Sequence, residues 1–360
     1  MNRTCGLLLI SFLVLLFGAC QVEFSPNAEW KEIPVVYGVL DQGDDTTYIR
    51  VQKCFLGEGN NYDFAQIFDS INYPEGSIEV KMLEWPAVVT RDSLLAIDPA
   101  ATAPNKEFLF DYHLLGNKPE GDFYAPEQPV YVCRTAGQLD PKYIYQLLII
   151  KTDSGDTIAR AQTYLIGYGL KIIQPSTLGF NFTGTGARKC YMEWHTATRG
   201  RQYQPRVRFY YNEFVVTDHG TYLDTLITPH SIDIDGYVIK KNLTDAVASR
   251  NFPESIFLAT IRDSIPVSNY NVNKIPIDTV DIFIRVCTED LAAYLYSHQD
   301  NGSINQDRLT YTNIEGGLGV FAARSTHFYS RFKTPAAPTT AYVKNLKALG
   351  VGFYLNSDDE

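Results

Sequence analysis

The side chains that most often carry out chemistry are scattered along this chain. Its six histidines stand singly, and no two have the H-x-H or H-x-x-x-H spacing that would place both imidazoles on one metal ion. The G-x-S-x-G motif of a serine nucleophile is absent. Asp218 and His219 are adjacent, but neighbouring side chains on a strand point to opposite faces, so we interpret the pair as part of a solvated turn. The sequence offers no catalytic constellation and no metal or cofactor site.

The glycine-rich segment Tyr311–Phe321 could cradle a phosphate group if it followed a strand and opened a helix. It lacks both the dinucleotide-binding fingerprint and the P-loop lysine. We therefore expect a tight turn whose glycines adopt positive backbone angles, with Leu318, Val320 and Phe321 packed inside.

Two acidic stretches, Asp41–Asp45 and Asp233–Asp235, carry oxygens that could coordinate calcium. Neither matches the twelve-residue calcium loop that lies between paired helices. We expect both stretches to be polar turn tips between strands.

Four cysteines lie far apart in the body of the chain, without C-x-x-C spacing: Cys54, Cys133, Cys190 and Cys287. All but Cys190 sit in apolar, strand-like runs, so buried free thiols are favoured over a metal site. Disulfides stay open, because an oxidising compartment would permit them and the sequence cannot pair them.

The cysteine with the clearest chemical role is Cys20. Arg3 and a short apolar run from Leu7 to Phe17 form the pattern of an export signal that is too short to remain as a membrane-spanning helix. Leu16–Cys20 resembles the bacterial lipobox, although Phe17 stands where leucine is usual. We predict that residues 1–19 are removed and that the Cys20 thiol receives diacylglycerol, so that acyl chains anchor the protein to a membrane.

The composition favours a folded, strand-rich protein. Its 31 basic and 41 acidic residues give a net charge of −10, which repels phosphate backbones and argues against nucleic acid as a partner. The 24 tyrosines and 20 phenylalanines suit strands better than helices. They and Trp30, Trp85 and Trp194 could form a sugar-stacking surface, but most aromatics alternate along strand-like runs, so core packing is favoured and glycan binding is the alternative.

Alternating apolar residues predict an antiparallel sandwich in the first half, resembling an immunoglobulin or fibronectin type III module. Two hairpins are expected, Ile33–Leu40 with Thr47–Phe55 and Tyr143–Ile150 with Thr157–Leu165, together with a half-buried strand at Ser77–Trp85. A short helix is expected at Asp63–Ser70, with Phe64, Ile67 and Phe68 on one face. We expect insertions at 58–76 and 96–126.

The second half mixes strands and helices. Strands are expected at Tyr191–Thr196, Arg206–Val216, Thr279–Cys287 and Gly352–Leu355, with helices starting at Pro253–Ser255 and spanning Thr288–His298 and Thr340–Leu349. We therefore predict a mainly β protein with four parts: a lipoprotein signal peptide at 1–19, a lipidated tether at 20–31, a β-sandwich domain at 32–170, and a β-rich α+β domain at 171–360.

The lipobox, the predicted sandwich, and the Tyr311–Phe321 segment preceded by the Thr288–His298 helix together resemble uncharacterised outer-membrane lipoproteins of Bacteroidota that carry a domain of unknown function. This resemblance, over most of the mature chain, implies an outer-membrane lipoprotein beside a TonB-dependent receptor or another barrel, and it implies no catalytic residues. Surface-exported relatives often carry an acidic signature after the cysteine, whereas Gln21–Glu23 has one acidic residue. The periplasmic or surface orientation therefore stays open.

We expect a non-enzymatic binding or assembly role in the cell envelope, through a protein partner in the outer membrane. The alternative is a surface lipoprotein that binds glycans or nutrients. A hydrolase would need a cleft that gathers histidines and carboxylates from distant segments.

Overall fold

A computed structural model describes residues 32–54, 61–91, 94–116, 124, 126–175, 191–216, 222–236, 238–266, 272–298, 311–334 and 341–353. The predicted signal peptide and tether with Cys20 lie outside these residues, as do Trp30, Cys190, Asp218 and His219.

The protein is mainly β, as the sequence predicts. Its strands are β1 (Pro34–Asp41), β2 (Thr46–Lys53), β3 (Ile78–Trp85), β4 (Ala87–Val89), β5 (Leu95–Ile97), β6 (Lys106–Gly116), β7 (Glu127–Arg134), β8 (Ile144–Lys151), β9 (Thr157–Tyr164), β10 (Lys171–Gln174), β11 (Tyr191–His195), β12 (Gln202–Val216), β13 (Tyr222–Asp235), β14 (Ile239–Lys240), β15 (Val247–Asn251), β16 (Val272–Cys287) and β17 (Leu318–Lys333). The described helices are α1 (Asn61–Ala65), α2 (Phe68–Ile71), α3 (Glu254–Ser264), α4 (Glu289–Ser297) and α5 (Ala341–Ala348).

A single large sheet runs through both halves of the molecule, in the order β13-β12-β16-β17-β1-β2-β7-β6-β3-β8-β9, with β14 beside β12. The long strand β17 joins the halves. Its first part, Leu318–Arg324, pairs with β1 in parallel, and its second part, Arg324–Lys333, pairs with β16 in antiparallel. Two smaller sheets are β10-β11-β15 and β4-β5.

Two hydrophobic cores lie on the inner side of this sheet. The first is built from residues between Val36 and Leu165 and is completed by Ile314, Phe321 and Ala323 from near the end of the chain. The second is built from residues between Ile166 and Phe353. The cores therefore divide close to residue 170, with the segment around β17 contributing to the first. Whether the two halves are independent domains stays a prediction.

The sheet folds back around the first core in a sandwich-like arrangement. Arg160 on β9 forms two backbone hydrogen bonds with Glu315, just before β17, with N···O distances of 3.0 and 2.8 Å. Because β17 lies beside β1, these bonds bring β9, an edge strand of the sheet, back to the strands in its middle. The first core is thereby enclosed by strands from both ends of the chain.

The local strand predictions are confirmed. Both expected hairpins form, as β1 with β2 and as β8 with β9, and β3 alternates buried and more exposed residues. The predicted strands and helices of the second half are also present among the described residues, with one difference at the end. There, Phe353 forms a single bridge with Lys274, and residues after 353 lie outside the described range.

Three predictions are wrong. Residues 96–126 are not wholly an insertion, because β6 lies inside the sheet between β7 and β3. The expected helix at Asp63–Ser70 is broken into α1 and α2, and Ile67 between them is 50% exposed instead of packed. Leu318 is 44% exposed, whereas Val320 and Phe321 are buried as expected. Leu318 and Val320 both lie on the outer side of β17, but only Val320 is covered by α4.

The close approach of β1 and β17 requires glycine at position 319. Gly319 has φ +108°, and a Cβ atom there would lie 2.0 Å from the carbonyl oxygen of Val36.

We predict that Gly319→Ala lowers the free energy of unfolding by about 2 kcal/mol or more, through backbone strain and the clash. Urea unfolding measures this. The matched control is Gly137→Ala, where φ is +64° but the Cβ would meet open space, so that only about 1 kcal/mol should be lost. Equal losses would contradict the proposed role of the close contact.

Candidate functional site

The outer face of the sheet in the second half carries an unusual set of side chains. On β12, Val207 and Phe209 point inward and are fully buried, so Arg206 and Arg208 point outward, because side chains alternate along a strand. The register places Arg206 between Asp235 of β13 and Phe283 of β16.

We call this surface the arginine face. It comprises Arg206, Arg208, Asp233, Asp235, Phe283, Arg285, Arg324 and Phe328 on the four strands β12, β13, β16 and β17. The opposite side of the same strands packs in the second core with α3 and α5.

Two of the arginines are held by cross-strand carboxylates. Arg208 donates to both oxygens of Asp233, at 2.6 and 2.9 Å, and Arg206 donates to both oxygens of Asp235, at 2.5 and 2.8 Å. Each contact is a bidentate guanidinium–carboxylate pair, the strongest common form of ion pair. The hydrogen bond from Arg208 lowers the pKa of Asp233 below its usual value. These two arginines are therefore fixed in place before any ligand arrives.

The other two arginines are less completely paired. Among the described residues, only Asp235 has a carboxylate within 4.0 Å of Arg285. The distance between the two groups is 4.0 Å, which is too long for a hydrogen bond. Arg324 lies 3.4 Å from Asp41 and 3.5 Å from Asp44, and more than half of its side chain is exposed. Arg285 and Arg324 therefore keep donor groups free for an incoming acid.

Aromatic rings complete the arginine face. The guanidinium of Arg208 lies 4.7 Å from the centre of the Phe283 ring, and Phe283 packs 4.9 Å from Phe328, centre to centre. Phe328 is 55% exposed. A large apolar ring therefore faces solvent on the same surface as Arg285 and Arg324.

A shallow pocket of about 330 Å³ opens on this surface. It is lined by Arg206, Arg208, Asp233, Phe283, Arg285, Arg324 and Thr326. Its size and polarity suit an acidic side chain or a short polar segment, with the bidentate pairs forming a rigid wall.

The glycine-rich segment forms the tight turn that the sequence predicts, and it serves the fold. Gly316 and Gly319 have positive φ angles. The Asn313 side chain donates to the carbonyl of Phe321 and accepts from its N–H, at 2.7 and 2.9 Å. The segment lies beside β1 and β9, where it completes the first core.

The acidic stretches differ from each other. Asp41–Asp45 is the turn of the first hairpin, as predicted, and Asp41 accepts a hydrogen bond from the Gly43 N–H at 3.0 Å. Asp233–Asp235 is not a turn tip, since it lies within β13. Its two carboxylates face the arginines of β12, so their charges are already balanced.

The histidines and cysteines are not brought together. No group of three His, Cys, Asp or Glu side chains with metal-binding geometry occurs within the described ranges. Cys54, Cys133 and Cys287 are free thiols, and burial raises the pKa of Cys287 to about 12. Among the described helices, none is long and apolar enough to cross a membrane.

The arginine face cannot be predicted from the sequence alone. The sequence shows Arg206 and Arg208 alternating with apolar residues and the Asp-x-Asp spacing of Asp233 and Asp235. Their pairing depends on which strands are neighbours, and β16 joins β12 from about seventy residues further along the chain. Only the register brings Phe283 and Arg285 to the same surface.

The bidentate pair of Arg208 with Asp233 should make stability depend on acid. A lowered pKa in the folded state means that the stabilisation is present above the unfolded value of about 4 and is lost as the pH falls below it. We predict that Asp233→Asn lowers the free energy of unfolding by about 1–2 kcal/mol at pH 7, with a deficit that shrinks below pH 4. Denaturant unfolding across pH measures this. Asp153→Asn, in an exposed hairpin turn, is the control, and a pH-independent deficit at Asp233 would contradict the prediction.

Comparison with known proteins gives no family. No protein-family model matches the chain, and no curated protein sequence matches it.

Proposed function

We propose that the protein is an outer-membrane-anchored lipoprotein that binds a protein partner of the cell envelope through the arginine face. The observation that carries the proposal is the exposed combination of Arg285, Arg324 and Phe328 on one rigid sheet surface. Arginine and large aromatic residues are enriched in protein–protein interfaces, and they dominate their binding energy.

The position of the predicted anchor supports this proposal. The chain enters the described fold at Glu32, next to the start of β1 at Pro34. Arg324 lies beside Asp41, at the other end of β1, roughly 23 Å away at the usual rise of a strand. The arginine face extends further along β17. A lipid on Cys20 would therefore hold the protein by the end opposite to this face.

Lipid anchoring would also strengthen a weak interface. Confining two proteins to one membrane raises the concentration of each as seen by the other. A partner that is itself in the outer membrane, such as a TonB-dependent receptor or another barrel, would benefit from this effect. The free donors of Arg285 and Arg324 favour a partner surface with exposed carboxylates.

The alternative of a glycan-binding surface gains less support. Trp194 is fully buried, and Trp85 is half-buried and donates to Gln146 at 3.2 Å. The Phe283 ring is already in contact with the guanidinium of Arg208, which lies 4.7 Å from the ring centre. The tryptophans within the described ranges therefore provide no open stacking platform.

Anchoring can be tested directly. We predict that the mature protein isolated from its native host begins at Cys20 and carries fatty acyl chains, which mass spectrometry of the N-terminal peptide would detect. Cys20→Ala should prevent lipidation and move the protein out of the membrane fraction. An unacylated mature N-terminus at another residue would contradict the anchoring proposal.

Partner binding can be tested at the arginine face. A photo-crosslinking amino acid at position 328 should capture an outer-membrane protein in intact cells. We predict that the double variant Arg285→Glu and Arg324→Glu reduces the crosslinked yield by about tenfold or more, because it replaces donors by repelling charges.

The matched control is Arg262→Glu. Arg262 is an exposed arginine on α3, which packs against the opposite side of the sheet. The Arg262→Glu variant should leave the crosslinked yield unchanged. An undiminished yield in the double variant, with an unchanged melting temperature, would overturn the proposed role of the arginine face.

A further inference from the structure

Arg50 is a second arginine whose surroundings suggest a ligand. It lies on β2, directly opposite Tyr37 of β1, on the outer side of the sheet. Its inward neighbours Ile49 and Val51 are buried in the first core. Arg50 itself is half-buried, and it lies on the other side of α4 from the arginine face.

The guanidinium of Arg50 lacks the partners that the other outer-face arginines have. Its Nε atom is shielded from solvent and has no hydrogen-bond partner. No ion pair to a described carboxylate is formed, in contrast to Arg206 and Arg208. Burial lowers the pKa of Arg50, and the phenol of Tyr37 opposes that shift. A cation that is half withdrawn from water and has no counter-charge is costly, because its Nε–H group is neither hydrated nor hydrogen-bonded.

The groups near Arg50 on the outer side of the sheet include phenol hydroxyls, which can donate hydrogen bonds. Tyr37 packs edge-to-face against Tyr294 of α4, with ring centres 6.1 Å apart. Tyr48, two residues before Arg50 on the same side of β2, is 52% exposed. Gln52, two residues after it, is engaged with Asn72. The site therefore offers a planar guanidinium and phenol hydroxyls, which is a set suited to a negatively charged oxygen group.

We propose that Arg50 and Tyr37 form a binding site for an oxyanion group, a carboxylate or a phosphate, carried by a small ligand. The fork of Arg50 would bind two oxygens of the group, and the Tyr37 hydroxyl would donate to it. The bound anion would supply the counter-charge that the fold leaves out. This site is separate from the arginine face and does not depend on the proposed protein partner.

Thermal unfolding of the purified mature protein tests the site. Inorganic phosphate and acetate are compared with chloride at equal ionic strength, so that general screening is held constant. We predict that at least one of the two oxyanions raises the melting temperature by about 2–4 °C near saturation. If only one of the two oxyanions raises the melting temperature, it identifies the chemical group that the site binds. If both raise it, the site binds a phosphate as well as a carboxylate.

Variants separate a binding site from a structural arginine. Arg50→Met should abolish the rise, and its melting temperature in chloride should equal or exceed that of the native protein, because an uncompensated charge is removed. Tyr37→Phe, which keeps the ring, should reduce the rise. The control is Arg134→Met, on the neighbouring strand β7 and exposed, which should keep the full rise.

Any one of three outcomes would overturn the proposal. The first is that neither oxyanion raises the melting temperature of the native protein, and the second is that the rise survives in Arg50→Met. The third is that Arg50→Met is markedly less stable than Arg134→Met in chloride. None of these outcomes bears on the crosslinking at position 328, so the two proposals can fail separately.

Discussion

The parallel pairing of β1 with β17 holds the molecule together. β1 and β17 are the first and the last described strands, so the chain that connects these two neighbouring strands contains almost the whole protein. Such a long closure has a high entropic cost, and the pairing must therefore be strongly stabilised. The burial of Phe321 and Ala323 in the first core and the close contact of Gly319 with Val36 provide that stabilisation.

This pairing also organises the outer side of the sheet. Helix α4 packs there on Val320 and Ala322 of β17 and on Tyr37 of β1. Its start is fixed to β17 by Thr288, whose hydroxyl bonds the backbone of Ala323 and makes no capping hydrogen bond to the helix. The helix thus divides one continuous surface into two parts. The arginine face lies on one side, and Arg50 lies on the other.

Local patterns predict the elements of this protein better than their arrangement. The hairpin of β8 and β9 follows from alternation and a short polar turn, both of which lie within a few residues of one another. The placement of β6 between β3 and β7 does not follow from local patterns, because packing in the first core determines which strands are its neighbours. Residues 96–126 contain enough turn-forming residues to resemble an insertion, and only tertiary contact identifies the strand within them.

The same limit applies to the candidate site. Asp233–Asp235 has the composition of a turn, and its role as a partner of β12 depends on a register that no short window contains. For Arg50 the sequence shows an arginine in an alternating strand, which normally indicates a solvated side chain. What the sequence cannot show is that α4, more than two hundred residues later, packs against the neighbouring Tyr37 and leaves Arg50 half-buried.

The two arginine sites differ in how their charge is balanced, and this difference determines what each can do. On the arginine face, Arg206 and Arg208 are neutralised within the fold, so they give a rigid surface at little cost in the unbound state. A partner then needs to satisfy only Arg285 and Arg324, which keeps the ordering cost of binding low. Arg50 has no such internal balance. A ligand that brings a negative charge there would relieve an existing penalty, so a single small anion could bind without the large contact area that a protein interface requires.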